Sequence, residues 1–307
     1  GGMSIKMGLV NEENKIIGRI TIPTDLTVPY QTLVERMADA VRQMLENAGM
    51  TLEQCGGIGI GSPGTIDAKQ GVILYSNNFG WENVPIVEEL KKHLDTRIEI
   101  ANDADAAALG EVCAGAAEGA ENAVLLTLGT GVGSGVILDK KIFRGAMPGG
   151  CELGHLSIRY DGIRCTCGRK GCLEAYASAS ALLRIAREKA AEHPESIMNE
   201  MCGNDLEQMN GKIPFDAAKA GDEAGMETVK EYEGYLACGI ANVINTFRPE
   251  KVILGGGVAA QKDNLTAPLK DLVKDMCFGG SHGHIADIVT SVLGNDAGII
   301  GAANLVV

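Results

Sequence analysis

The chain has 307 residues, of which 45 % are hydrophobic and 22 % charged, a composition typical of a globular protein with room for two domains. Its net charge of −13, with no run of Lys and Arg, argues against a nucleic-acid partner. No stretch of about eighteen uninterrupted apolar residues occurs, and no charged start is followed by an apolar run. We therefore expect no membrane span, no secretory signal and a cytoplasmic protein.

The first half of the chain alternates short apolar strands with helical stretches. A predicted hairpin is followed by an amphipathic helix over residues 30–49. A later strand, residues 97–103, ends at Asn102 and Asp103 and leads into an alanine-rich helix, residues 104–116. The remaining predicted elements of this half are hairpin strands at 3–10 and 15–24, strands at 56–64 and 70–77, and a helix at 86–94.

The second half repeats the alternation. Residues 123–139 contain two apolar strands joined by a glycine-rich turn, and residues 250–258 form a strand that breaks into glycines. Helices are predicted at 177–193, 231–247 and 294–306. Two rounds of strands and helices indicate two α/β lobes rather than one long sheet.

Three segments share one design, a strand followed by glycines, at residues 61–64, 129–135 and 255–257. Glycine lets backbone N–H groups approach phosphate oxygens closely, although each segment could equally be a plain tight turn. The stretch GIGSPG formally matches the dinucleotide fingerprint, but Pro63 and a strand follow where a helix should begin. No Walker A motif occurs, so a bound nucleotide would be held by backbone amides and Mg²⁺.

Three of the nine cysteines crowd into the segment CTCGRKGC: Cys165, Cys167 and Cys172. The two glycines between them permit bends that bring three thiolates to one ion, and His155 is the candidate for a fourth ligand. A complete Cys₃His set leaves no open position for water, so the predicted zinc is structural. The alternative is a disulfide within this loop. The other six cysteines are predicted to be small buried hydrophobic residues.

The segments GGCELGH and CTCGRKGCLEAYAS together resemble the signature of the ROK family of sugar kinases, repressors and open reading frames. The chain also has GIGIGSPGTID, NDADAAALGE, LLTLGTGVGSGVI, VILGGGVA and GNDAGIIGAA in the family's order, so the resemblance covers essentially the whole chain. It implies an α/β fold of the actin-like, hexokinase type (ribonuclease H-like), with two lobes and a cleft between them for ATP and sugar. We assign the small lobe to residues 1–115 plus 291–307, and the large lobe with the zinc loop to residues 116–290.

The resemblance implies that Asp103 is the catalytic base, which would orient and deprotonate the attacking sugar hydroxyl. From the residues alone, Asp103 could instead cap the alanine-rich helix, a role that Asp105 could also fill.

The resemblance also implies a set of sugar contacts and a set of nucleotide contacts. The implied sugar contacts are Gly64, one of Asn77 and Asn78 (we choose Asn78), Asn102, Asp103, Glu152, His155 and Glu174. The implied contacts to Mg-ATP are Gly2, Thr130, Gly131, Gly255, Gly256 and Gly257. His155 would give one ring nitrogen to the metal and the other to the substrate. Without the metal beside them, Glu152 and Glu174 would be interpreted as solvated surface charges.

The match fails at the start of the chain. The family opens with an Asp-x-Gly-Gly-Thr strand and turn, whereas this chain begins at Gly1 and Gly2 with Met3 where the threonine is usual. We expect the natural protein to have further residues before Gly1, and a chain that truly starts here to have feeble or no kinase activity. Cys151 replaces a usual alanine, a small change that should be tolerated.

The resemblance favours an ATP-dependent hexose kinase, in the first place a glucokinase, that transfers the γ-phosphoryl group to the 6-hydroxyl of the sugar. The alternatives are an N-acetylmannosamine kinase or another hexose kinase of the family, which share the residues that grip the sugar. A sugar-sensing repressor is less favoured because of the acidic charge, and a nicotinamide dehydrogenase less still. From the family we also expect a homodimer or a homotetramer.

Overall fold

The computed structural model describes residues 4–283 and 285–307, so Gly2, a predicted nucleotide contact, lies outside the described residues. The chain divides into two compact units. The first contains the described residues up to Glu121, together with Gly135–Cys151 and Val292–Val307, and the second contains Asn122–Ser134 and Glu152–Ser291. Residues 116–121 and 135–151, which the sequence analysis assigned to the large lobe, fall in the first unit.

Strands and helices alternate along the described chain. The strands are β1 (Ser4–Val10), β2 (Ile16–Pro23), β3 (Ile58–Ser62), β4 (Thr65–Asp67), β5 (Val72–Ser76), β6 (Trp81–Val84), β7 (Ile98–Asn102), β8 (Ala123–Leu128), β9 (Val132–Leu138), β10 (Lys141–Ile142), β11 (Lys251–Gly255) and β12 (Asp287–Thr290). The α-helices are α1 (Tyr30–Ala48), α2 (Ile86–Lys91), α3 (Asp103–Ala114), α4 (Glu174–Ala177), α5 (Ala179–Glu192), α6 (Ile197–Met201), α7 (Ile213–Lys219), α8 (Glu223–Phe247), α9 (Asp263–Met276) and α10 (Asp296–Ala303).

Helix α1 has the boundaries that its sequence pattern predicts. Leu33, Val34 and Ala38 repeat at helical spacing and are fully buried. The helix ends at Gly49, whose φ of 65° lies in the left-handed region and whose N–H bonds back to carbonyls of the last turn. Its buried face belongs to a core cluster of ten residues: Val34, Ala38, Ile66, Ile73, Val84, Ile86, Leu90, Leu94, Ile98 and Ile100.

Strand pairing in the first unit fixes where its polar residues come together. β1 pairs antiparallel with β2, β4-β5-β6 form an antiparallel sheet, and β3 pairs in parallel with β7. In the last pair Ser62 lies opposite Asn102. Because parallel strands end at the same edge, the glycine turn after β3 lies beside the start of α3.

Glycines let α10 pack backbone to backbone on α3 and β3. A Cβ at Gly301 would lie 1.6 Å from the carbonyl oxygen of Ala106, and one at Gly59 would lie 1.6 Å from that of Ala302. No residue with a side chain fits at either position without moving the backbone. The contacts fix α3, with Asp103 at its first position, against a helix from the end of the chain.

The main strands of the second unit belong to a mixed five-stranded sheet with the order β10-β9-β8-β11-β12. In this sheet β11 pairs in parallel with both β8 and β12, whereas β10, from the first unit, pairs antiparallel with β9. Gly255 pairs with Thr127, so the glycine turns that follow β8 and β11 lie at one edge. Gly256, at φ 83°, approaches so closely that its Cβ would be 2.4 Å from the carbonyl oxygen of Leu128.

Helix α8 begins at Glu223, eight residues before the predicted start at residue 231. Asp222 caps it by accepting the N–H of Gly225, and a Cβ at Gly225 would lie 2.7 Å from the backbone of α7. The early glycine and the run of charges hide the helical period in this turn, and the contact with α7 overrides the low propensity of glycine. Although α8 has 25 residues, no described helix is both long and apolar enough to cross a membrane.

The prediction that the six scattered cysteines are buried is right for two of them. Cys202 and Cys277 are buried, whereas Cys55, Cys113, Cys151 and Cys238 are partly exposed. Small size lets cysteine occupy boundary positions as readily as core ones, which sequence context alone does not reveal.

Candidate functional site

The cysteine segment folds as a tight loop that is held together by short-range backbone hydrogen bonds. Cys165 donates its N–H to the carbonyl of Arg169 at 2.7 Å, and Gly168 donates to the carbonyl of Cys165 at 2.9 Å. Gly168 and Gly171 have φ values of 90° and 78°, which the left-handed bends of this loop require. A Cβ at Gly171 would also lie 1.6 Å from the carbonyl oxygen of Arg159.

The structure brings together all four predicted metal ligands. One ligand atom from each of His155, Cys165, Cys167 and Cys172 lies within 4.8 Å of the others. Cys165 Sγ is 3.7 Å from His155 Nδ1, and the Sγ atoms of Cys167 and Cys172 are 3.6 Å apart. Ligands of a tetrahedral zinc, at ~2.3 Å for sulfur and ~2.1 Å for nitrogen, are separated by roughly 3.5–3.8 Å. The donor set and its spacing therefore fit zinc.

The same distances do not fit the disulfide alternative. A disulfide joins its sulfurs at about 2.05 Å, whereas Cys167 and Cys172 have free thiols 3.6 Å apart. Burial raises the pKa of the Cys172 thiol to about 12 and also raises the pKa of Cys165. A backbone N–H from Arg169 lowers the pKa of the exposed Cys167. Two of the three sulfurs thus need a cation nearby to become thiolates.

Glu174 links the cysteine loop to the glycine turn between β8 and β9. Its Oε2 accepts the N–H of Val132 at 3.1 Å, and its Oε1 accepts the hydroxyl of Thr166 at 3.1 Å. A Cβ at Gly131 would lie 2.3 Å from Oε2, so a side chain there would displace the carboxylate of Glu174. Glu174 thus occupies the space between two segments that the sequence singled out separately.

His155 and Glu152 are placed by a short helical turn packed on β9. The backbone of Leu153 donates to the Ser134 hydroxyl at 3.0 Å, and a Cβ at Gly154 would lie 2.1 Å from the carbonyl oxygen of Val132. Glu152 is exposed and precedes this turn, and His155 directs Nδ1 at Cys165. The cluster of one histidine and three cysteines uses Nδ1 of His155 and does not require its second ring nitrogen, Nε2.

In the first unit Asn102 caps α3, so neither Asp103 nor Asp105 takes the capping role considered as the alternative for them. The Oδ1 of Asn102 accepts the N–H of Ala104 at 2.8 Å, while its Nδ2 donates to the carbonyl of Gly64 at 3.1 Å. Asp105 is buried, at 3 % exposed. An amide has both a donor and an acceptor, so Asn102 alone can bond to the helix and to the glycine turn together.

Asp103 is exposed at the first position of α3. Solvent reaches the residue, but enough protein surrounds its carboxyl group that desolvation raises the pKa, against a smaller opposing effect of the Ala104 N–H. A carboxylate that is accessible and more basic than usual is chemically suited to accept a proton.

The remaining predicted sugar contacts of the first unit surround the turn after β3. Gly64 has φ 114°, and a Cβ there would lie 2.2 Å from the carbonyl oxygen of Tyr75. Asn77 accepts the hydroxyl of Tyr75 at 3.3 Å, and Asn78 is exposed in the turn after β5. Both asparagines are exposed, so the choice of Asn78 as the sugar contact stays a prediction.

The predicted nucleotide contacts lie on the two glycine turns of the second unit. Thr130 is exposed, and its carbonyl accepts the Ser180 hydroxyl at 2.9 Å. Gly256 and Gly257 are exposed, and a Cβ at Gly257 would meet nothing within 4 Å. Of the three glycines in this turn, Gly257 is therefore the one with open space where a side chain would lie.

Sequence reasoning missed three hydroxyl groups of this region. Thr166 bonds to Glu174, Ser134 holds the turn before His155, and Ser180 holds Thr130. Thr166 stands between two metal ligands and Ser134 between two glycines, positions that were visible. A single hydroxyl has no spacing pattern of its own, so only the folded contacts identify its partner.

The fold is that of known sugar kinases. The ROK family glucokinase of Streptomyces griseus, solved with glucose and AMPPNP, matches with a TM-score of 0.79 and 31 % identity, covering 99 % of this chain and 96 % of that one. The predicted class, an α/β fold of the actin-like, hexokinase type, is confirmed.

The ROK family profile matches residues 1–307, and this chain belongs to the ROK family. The glucokinase of Thermotoga maritima is 36 % identical over 307 residues, covering 100 % of this chain and 95 % of that protein. The glucokinase of Halalkalibacterium halodurans is 35 % identical over 314 residues, covering 100 % and 92 % respectively. The family prediction made from the motifs is thereby confirmed.

Proposed function

We propose that this chain is an ATP-dependent hexose kinase that transfers the γ-phosphoryl group of Mg-ATP to the 6-hydroxyl of glucose. The observation that carries the proposal is the full-length similarity to glucokinases, at 36 % and 35 % identity. The similar structure from Streptomyces griseus was solved with glucose and a nucleotide analogue, which supports the same pair of ligands here.

We assign the general base to Asp103. Phosphoryl transfer needs little covalent help from the protein but needs the attacking hydroxyl to be oriented and deprotonated. The accessible carboxyl group of Asp103 has a raised pKa, which strengthens it as a base, and Asn102 rather than Asp103 caps the helix. The structural alternative for Asp103 is thus already filled by its neighbour.

We assign the sugar hydroxyls to carboxylates and amides, which can each make more than one hydrogen bond, together with one imidazole and the backbone of Gly64. The proposed contacts are Gly64, Asn78, Asn102, Asp103, Glu152, His155 and Glu174. In this scheme His155 gives Nδ1 to the metal cluster and Nε2 to the sugar, since Nδ1 is the atom that faces Cys165.

We assign the nucleotide to the two glycine turns, at Thr130, Gly131 and Gly255–257, in which Thr130, Gly256 and Gly257 are exposed, Gly131 is partly exposed and Gly255 is buried. Backbone N–H groups at such turns can bind phosphate oxygens, and bound Mg²⁺ would neutralise the charge that develops in transfer. The zinc that fits His155 and the three cysteines is proposed as structural: the four protein ligands complete its coordination and leave no site for a reacting water.

The test is release of ADP, measured with a coupled assay on the full chain with Mg-ATP and a panel of hexoses. We expect turnover with glucose, with N-acetylmannosamine the poorer acceptor. Silence with every sugar alongside tight binding of one would contradict the kinase and favour a sugar sensor. A higher kcat/KM for N-acetylmannosamine would overturn the choice of glucose.

The lobe boundaries, the homodimer or homotetramer, the cytoplasmic location and the lack of nucleic-acid binding stay predictions. Light scattering of the purified protein would decide the oligomeric state.

A further inference from the structure

The carboxylate of Glu174 has a different partner on each oxygen. Oε2 accepts the backbone N–H of Val132 in the glycine turn, and Oε1 accepts the hydroxyl of Thr166 in the cysteine loop, each at 3.1 Å. Glu174 begins the single turn of α4, two residues after Cys172. One side chain therefore bridges the proposed zinc loop and the proposed phosphate-binding turn.

We infer that Thr166 is a positioning residue: its hydroxyl fixes the carboxylate of Glu174, which in turn fixes the backbone of the glycine turn over residues 129–132. The inference deepens the proposed function and rests on it for its kinetic consequence. Thr166 itself is not assigned any contact with substrate.

Thr166 carries this role because its hydroxyl is the nearer and stronger donor to Oε1, at 3.1 Å. Cys165 Sγ also lies near Oε1, at 3.4 Å, but a thiol is only a weak hydrogen-bond donor.

The glycine turn is held from two sides. Its carbonyl groups are fixed by α5, since Gly129 accepts the N–H of Ala179 at 2.8 Å and Thr130 accepts the Ser180 hydroxyl at 2.9 Å. On the other side of the turn, the backbone N–H of Val132 has one partner among the described contacts, the carboxylate of Glu174. Because a Cβ at Gly131 would lie 2.3 Å from Oε2, the carboxylate already touches the turn, and a shift of one must move the other.

The test compares Thr166→Val, which keeps the shape and removes the hydroxyl, with Thr166→Ser, which keeps the hydroxyl. Thr166 is exposed, so both variants should fold and retain zinc, to be verified by thermal melting and elemental analysis. The first readout is amide hydrogen exchange over residues 129–134 in the zinc-loaded protein. The second is the separation of KM for Mg-ATP, KM for glucose and kcat.

We expect Thr166→Val to speed amide exchange at Val132 about tenfold and to lower kcat/KM for Mg-ATP about tenfold. A change of about tenfold is what the loss of one hydrogen bond to a charged group should produce. Thr166→Ser should restore both. Unchanged exchange in Thr166→Val, or equal effects of the two substitutions, would overturn the inference. If the wild type phosphorylates no hexose, the proposed function fails, while the exchange measurement still decides whether Thr166 positions the turn.

Discussion

The cysteine loop and the start of α3 hold their polar side chains in different ways. In the loop, backbone bonds between near neighbours, such as Cys165 to Arg169, gather three of the four ligands within eight residues of sequence. At the start of α3, Asp103 is placed by the pairing of β3 with β7 and by α10, which comes from the end of the chain. One region is built locally and the other by distant segments.

This difference decides how far a substitution should act. A change in the loop should remove the proposed metal and leave the first unit intact, because the loop belongs to the second unit. A change where α10 meets α3 should weaken the first unit and displace Asp103 together with it. The following predictions separate the two kinds of effect, from the largest to the smallest.

Cys172→Ser should abolish zinc binding, whose free energy is on the order of 10 kcal/mol. Cys172 is fully buried in the cluster, and serine supplies a poor zinc ligand in its place. Elemental analysis should show about one zinc per chain in the wild type and almost none in the variant. Cys202→Ser, equally buried but outside the cluster, is the matched control and should retain zinc. Full zinc content in Cys172→Ser would refute the ligand assignment.

Asp103→Asn should lower kcat by roughly 10²–10⁴-fold while glucose binding persists, because the amide cannot accept the proton. The raised pKa also predicts that wild-type turnover falls on acidification, as the base becomes protonated. Steady-state kinetics and calorimetric titration with glucose test both statements. Asp95→Asn, at an exposed aspartate of the same unit, should leave turnover unchanged. Turnover retained in Asp103→Asn would remove it as the base.

Gly301→Ala should destabilise the first unit by about 1–3 kcal/mol, because the new Cβ would lie 1.6 Å from the carbonyl oxygen of Ala106. Turnover should fall as well, because α3 would shift and displace Asp103 at its first position. Gly298→Ala, in the same helix, adds a Cβ that meets nothing within 4 Å and should be neutral or slightly stabilising. Urea unfolding measures both variants, and equal stabilities would show that the close packing of α10 is not needed.

Glu233→Gln should change the stability by an amount that depends on pH and is close to zero at acidic pH. Glu233 is 5 % exposed, and burial raises its pKa from 4.5 to about 7. The stability of the wild type should be full below pH 4.5 and should decline as the pH rises through 7, because ionisation is easier in the unfolded chain.

Above pH 7, Glu233→Gln should therefore be more stable than the wild type by on the order of 1–3 kcal/mol, with little difference at pH 4.5. Melting curves across this range test the sign. The exposed neighbour Glu231 supplies the matched control, and Glu231→Gln is melted under the same conditions. A gain for Glu233→Gln that is greatest at low pH would contradict the burial of an ionisable group.

Much of the fold was predictable because its signals are local. The period of α1, its end at Gly49 and the strand before Asn102 were all visible in the sequence. The start of α8 was not, since its first turns contain Gly225 and are stabilised by contact with α7. The cap of α3 was left open between Asp103 and Asp105, and the sequence did not single out Asn102 because Asn, Asp and Ser all satisfy the same preference.

The sequence by itself determined the grouping of His155 with three cysteines, the glycine turns and the family, since each depends on residue types at fixed short spacings. Only the tertiary structure decided that Asn102 caps α3, that Glu174 joins two segments, and that Thr166 and Ser134 take part. Those contacts join residues far apart in the chain or single hydroxyls without a pattern, and their partners exist only once strand register and backbone packing have set the distances.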